Sequence, residues 1–228
     1  MRETFHGELD QIGRSLVEMT GAVGVAMQDA TAALLDADLT VAERVISADA
    51  DVDRLRDELE QRAFDLLARQ QPVAVDLRTI ITSLKAVADL ERMGDLALHV
   101  AKVARMRYPS CAIPDEVRGT IKEMGDVAQS IVGKTRQVLK GQDLELAEQL
   151  ERDDDAMDTL HRRLFAQLLS DDWARGIEPA IDITLIGRYY ERYADHAVSV
   201  ARQTVYLVTG ELPPTALQGS ATETALGA

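Results

Sequence analysis

The stretch LERMGDLALHVAK at residues 90–102 returns in altered form as YERYADHAVSVAR at residues 190–202. Both copies hold Glu-Arg-x-x-Asp and then run on in Ala and Val. A glutamate and an aspartate four residues apart are neighbours on one face of an α-helix. That face also carries the apolar residues. In the first copy Leu77, Ile80, Leu84 and Val87 lead to Glu91, Gly94, Leu98 and Ala101, with Asp95 beside the line. In the second, Ile181, Thr184 and Arg188 lead to Glu191, Asp195 and Val198. Carboxylates are therefore set into the stripe expected to face neighbouring helices, twice, one repeat apart.

A second acidic pair precedes each motif. Asp49 falls between Val45 and Val52, with Asp53 four residues on, and Asp154 falls between Leu150 and Met157, with Asp158 beside it. The offset between copies is 105 residues at Asp49/Asp154 and 100 at Glu91/Glu191. So small a drift implies duplication of one unit with minor loop differences. Breaks fall at Asp36–Thr40, Gln71-Pro72, Tyr108–Asp115, Gly141–Asp143 and Trp173–Pro179, leaving six long segments. Their apolar residues keep a 3/4 spacing, as in Phe5, Leu9, Ile12, Leu16, Met19, Val23, Ala26 and Ala30, or Val117, Ile121, Met124, Ala128, Ile131, Thr135 and Val138. That period predicts antiparallel helices of about 45 Å packed as left-handed bundles. The expected fold is all-α: two tandem, duplicated three-helix bundles over 1–108 and 115–210, hinged between Tyr108 and Pro114. Residues 211–228, rich in Pro, Gly, Ser and Thr, are expected to form a disordered tail.

Composition agrees. The 228 residues include 46% hydrophobic but only 4% aromatic side chains, which suits long helices. A formal charge of −14 repels phosphate backbones and anionic lipid, so direct nucleic-acid binding is not expected. No segment reads as a signal or a membrane span, and the single Cys111 has no internal partner, so a cytoplasmic location is expected.

Each half thus aims four carboxylates inward from two helices: Asp49, Asp53, Glu91 and Asp95, then Asp154, Asp158, Glu191 and Asp195. Buried like charges must be offset by a cation or take up protons. A metal ion held by oxygen ligands would serve, with His99 and His161 near enough to add nitrogen. The plainer alternative is pairing with Arg92, Arg192, Lys85, Arg78 or Arg188. A ferritin-type di-iron site is poorly matched, because the one Glu-x-x-His, Glu3 to His6, lies at the N-terminus. No nucleophile elbow or glycine-rich phosphate loop is present, and Cys111 reads as a loop residue. Trp173 reads as the plug of an interhelix turn, and Tyr189, Tyr190 and Tyr193 as bundle packing with hydroxyls at the rim.

At Asp76-Leu77-Arg78, Leu90–Asp95 and Tyr190–Ala197 the sequence resembles the PhoU family, and the resemblance extends over residues 1 to 210. It implies duplicated three-helix bundles and a non-enzymatic, usually dimeric cytoplasmic regulator. Such a protein would connect the phosphate transporter ATPase subunit to a phosphate-sensing histidine kinase and keep the starvation response off. It also implies iron or zinc at Glu91, Asp95, Glu191 and Asp195, and extends less directly to the four aspartates Asp49, Asp53, Asp154 and Asp158. One departure stands out: where the family continues with Asn-Ile-Ala-Glu, this chain ends the motif in Lys102 and Arg202. Either cation could take up charge that a metal would otherwise offset. The alternatives are a metal-storage protein without signalling partners and a purely structural dimerisation module.

Overall fold

The computed structural model describes residues 2–211, with side chains from Phe5 onward; all but Glu211 of the expected tail lies outside the described residues. Six helices follow one another: α1 (Arg2–Asp36), α2 (Leu39–Gln70), α3 (Ala74–Arg107), α4 (Asp115–Gly141), α5 (Leu144–Leu168) and α6 (Ile177–Thr209). Among the described residues there is no strand, and no helix is long and apolar enough to cross a membrane.

Local chemistry sets the ends. Asp38 accepts the Val41 amide at 3.0 Å, and its counterpart 105 residues on, Asp143, accepts that of Leu146 at 3.0 Å, satisfying amides that have no partner inside the helix. Gln71, Gln142 and Gly210 close their helices in the left-handed conformation. α5 stops at Leu168, earlier than the break expected at Trp173. Pro179 lies inside α6, in the first turn, where a missing N–H costs nothing. Trp173 plugs the α5–α6 turn: it packs on the core and its Nε1 donates to the Gly176 carbonyl at 2.9 Å.

α1–α3 and α4–α6 each form a three-helix bundle, and the two are not hinged apart. α1 also packs on α4, and α3 on α6, so one apolar core runs through both. α1, α3, α6 and α4 form a closed ring of neighbours, a central four-helix bundle, with α2 and α5 on opposite flanks. The diagonal from α6 to α1 is bridged by two fully buried tyrosines. Tyr190 Oη lies 2.7 Å from Thr31 Oγ1, and Tyr193 Oη donates to the Val23 carbonyl at 3.1 Å. Their hydroxyls were expected at the rim; they are instead inside, each with the partner a buried hydroxyl needs.

Candidate functional site

The eight carboxylates lie on the two flanks, four on the α2/α3 seam and four on the α5/α6 seam. Each quartet comes from two helices of one bundle, because the acidic faces of α2 and α5 turn toward the motif helices. The two seams solve the same charge problem differently.

In the first, arginines close the cluster. Glu91 is only 17% exposed; Arg56 Nη1 lies 3.3 Å from its Oε1 and Arg92 Nε 3.5 Å from its Oε2. Arg56 also reaches Asp53 at 3.2 Å, and Arg92 reaches Asp95 at 3.0 Å. Burial, and next Asp95, push the Glu91 carboxyl upward; Arg92 and Arg56 pull it back. Burial also raises Asp49, followed by Asp53 and Asp95, with Lys102 and His99 opposing. Among the described contacts His99 bonds to none of the four carboxylate groups. Its Nδ1 sits 2.6 Å from the Asp95 carbonyl and its ring lies 5.3 Å from that of Tyr189.

In the second seam, Arg56 has no equivalent. At the same 105-residue offset stands His161, whose ring meets Phe165 edge-on at 4.9 Å and whose buried Nε2 has no hydrogen-bond partner among the described residues. Gly187 brings α6 close here: a Cβ would stand 2.7 Å from Leu164 Cδ2 and 3.2 Å from the His161 ring, so either side chain would have to shift. Arg188 pairs with Glu191, which is 16% exposed. Arg202 is largely engaged elsewhere, with Nε 2.7 Å from Glu151. Asp154 therefore faces Asp195 and Asp158 with little relief, and burial together with those two charges raises its pKa to about 7.

The proton on Asp154 makes a test. A carboxyl whose folded pKa lies near 7, against 3.8 unfolded, binds its proton more tightly when folded. Stability is then lost as pH rises through that window and regained as it falls. Solvent screening of a half-buried group leaves about 1–2 kcal/mol of this effect. Asp154→Asn is accordingly expected to raise the melting temperature by about 3–6 °C at pH 7.5 and not at pH 4. An equal gain at both pH values would contradict the assignment.

Among the described residues no three His, Cys, Asp or Glu side chains gather in an arrangement that could hold a metal ion, and in the first seam Arg56 and Arg92 pair with Asp53, Glu91 and Asp95. Of the basic residues expected near the motifs, Arg92 and Arg188 do pair with them, while Arg192 lies 3.5 Å from His196 Nε2. Arg56 escaped the sequence reading, although Asp53-x-x-Arg56 is a helical i,i+3 pair.

A further polar cluster was also missed. On the α3/α6 seam between the bundles, Asp89 meets His196 Nδ1 at 2.9 Å and accepts Ser199 Oγ at 2.7 Å and Gln203 Nε2 at 2.7 Å. Because a carboxylate only accepts, His196 carries its proton on Nδ1.

Fold and seams define a class: a duplicated three-helix-bundle protein with one acidic seam per repeat. The sequence pattern of the PhoU domain matches the chain twice, over residues 16–104 and 121–204. The chain belongs to the PhoU family. It is 48% identical to the phosphate-specific transport system accessory protein PhoU homolog 2 of Mycobacterium tuberculosis, over 93% of this chain and 100% of that one. It is 44% identical to PhoU homolog 1 of the same species, over 93% and 96%. Among solved structures, PhoU from Pseudomonas aeruginosa is similar with a TM-score of 0.80 at 30% identity, covering 91% of this chain and 100% of that one. The phosphate transport system regulatory protein PhoU from Streptococcus pneumoniae shares the fold, with a TM-score of 0.83 at 24% identity over 92% and 100%.

Proposed function

We infer that this protein is a cytoplasmic, non-enzymatic accessory protein of a phosphate transport system. It keeps the phosphate-starvation response off by linking the transporter ATPase subunit to a sensor histidine kinase, as a homodimer. The observation that carries this reading is the similarity to phosphate-specific transport system accessory proteins across both repeats and nearly the full length.

The surface supports an adaptor. Phe165, Leu169, Ile177, Ile181 and Leu185 form an exposed apolar patch at the α5–α6 turn, with Leu169 82% and Ile177 78% exposed. The equivalent α2–α3 turn exposes Phe64, Val73, Val75, Leu77 and Ile81. Patches of this kind mark docking surfaces, and two related ones suit a protein with two partners. Storage of metal without a partner is less well supported, because arginines neutralise the first seam.

Deleting the gene, together with any second copy such as Mycobacterium tuberculosis has, is expected to switch on a phosphate-starvation reporter in phosphate-rich medium. The wild-type gene should return it to baseline. A reporter that stays low in the cleared strain would refute the regulatory reading.

A further inference from the structure

The duplication relates the two ends of the central four-helix bundle, yet they are built differently. At one end α1 and α3 finish and α4 and α6 begin, and the cations there have acceptors. Arg107 pairs with Glu178 and, through Nε at 2.5 Å, with Asp182. Arg118 reaches the Leu35 carbonyl and, at 2.9 Å, Asp36.

At the opposite end α1, α3, α4 and α6 together leave a groove of about 1270 Å³. Arg14, Arg78, Arg136 and Lys140 line it. Among the described residues none of the four forms an ion pair; Arg14 binds only the Gln11 side chain, and the buried Nε of Arg78 has no hydrogen-bond partner. At the 100-residue offset relating α3 to α6, Arg78 stands where α6 has Glu178, and Thr82 where it has Asp182. Among the described residues the buried Thr82 hydroxyl is also without a hydrogen-bond partner. Where one end supplies carboxylates, the other has a cation and an unsatisfied hydroxyl. The groove's own acids are Asp10 and Asp76, and Asp76 lies 3.9 Å from His6.

Two further lining positions are helix-interior glycines, Gly13 of α1 and Gly133 of α4, and neither has an atom within 4 Å of where a Cβ would stand. Glycine weakens a helix relative to alanine, and packing does not demand it at either place. Their effect is to keep the groove wide.

Four cations lining one groove, none of them in an ion pair among the described residues, outnumber the two acids there and favour an anion. Three of the four are arginines, whose fork matches phosphate oxygens two at a time. They stand on three different helices, a spread that suits several linked phosphates better than one. We propose that this end of the central bundle binds a linear oligophosphate, either an inorganic chain or the polyphosphate of a nucleotide. Leu9, Val17 and Leu207 give the groove an apolar wall against which a nucleobase could lie. The inference rests on the groove and not on the transporter reading.

The test is calorimetric titration of the full chain with sodium tripolyphosphate, ATP and orthophosphate in turn. Saturable binding of tripolyphosphate or ATP is expected, with orthophosphate much weaker; the tighter of the first two identifies an inorganic chain or a nucleotide. Arg14→Gln with Arg136→Gln, both in exposed or half-exposed positions without ion pairs, is expected to weaken binding about tenfold or more. Lys122→Gln with Arg152→Gln removes the same charge outside the groove and should leave affinity within about twofold. Arg14→Lys with Arg136→Lys, which keeps the charge, should fall between. No saturable heat from either oligophosphate, equal binding of orthophosphate, or equal losses in the two charge-removing pairs would overturn the proposal.

Discussion

Replacing Asp89 with alanine is expected to lower stability by about 3 kcal/mol and to loosen the joint between the two bundles. The carboxylate is 18% exposed and is met by three side chains of α6, His196, Ser199 and Gln203. Hydrogen bonds to a charged acceptor contribute about 1.5–3 kcal/mol each, and donors left buried without partners add a desolvation cost, although the losses within one network do not sum. Gln203 is poorly placed to compensate, since its Oε1 is already buried without a partner among the described residues. For a chain of this length the loss corresponds to a fall in melting temperature of about 6–12 °C. Asp89→Asn keeps one carbonyl acceptor and should lose less. Amide hydrogen exchange offers a second readout, with faster exchange around 86–92 and 196–203. A melting temperature within about 2 °C of wild type would show that the cluster is not a clamp.

Gly125→Val is expected to cost a similar amount by steric means. A Cβ at this position would stand 2.7 Å from Thr31 Cγ2 and 3.4 Å from its Oγ1, closer than carbon atoms pack. Thr31 cannot simply turn away. Its hydroxyl donates to the Met27 carbonyl at 2.7 Å and, having one hydrogen, must accept from Tyr190 Oη, also at 2.7 Å. Tyr190 is fully buried, so separating α1 from α4 here would strand its hydroxyl. Overpacking of this kind costs about 1–3 kcal/mol, and the hydrogen bonds that must break place this site at the upper end. Thr31→Ala should rescue part of the loss, a coupling that urea denaturation of the double-mutant cycle would read directly. Additive losses would mean that α1 and α4 separate without involving Thr31.

Several features of this molecule are local and were legible without a structure. The 3/4 spacing in α4 matches a wholly buried face, from Val117 through Ile121, Met124, Ala128 and Ile131 to Val138. Helix ends at Asp38 and Asp143 follow from side chains that cap their own helices. Duplication, too, is written in residue spacing, although spacing alone does not say whether each quartet of carboxylates closes within one half. Spacing offered those carboxylates either a cation or a proton as counterweight; in the structure Arg56 and Arg92 stand at Glu91, while burial, Asp195 and Asp158 raise the pKa of Asp154.

The tertiary structure decided which answer applied where. Periodicity reports that a helix has an apolar face, but α3 packs against α1, α2 and α6 at once, and its buried residues, from Ile80 and Ser83 to Val100 and Val103, cover more than one stripe, leaving only the face of Ile81, Lys85, Ala88, Arg92, His99 and Lys102 exposed. One stripe could not reveal that a second face joins the bundles through Asp89. Nor could it distinguish exposed Ile181, on the expected stripe, from buried Ile183 beside it. Arg56 reaches Glu91 across 35 residues of chain, and Arg107 reaches Asp182 across 75. Such pairings depend on which helices become neighbours, and that choice is made by the fit of whole faces in space. The sequence alone therefore determined six helices, their duplication and the presence of charge in their seams. The central four-helix bundle, the partner of each charge and the difference between its two ends arise only when the helices are packed, because each is a relation between segments that are distant along the chain.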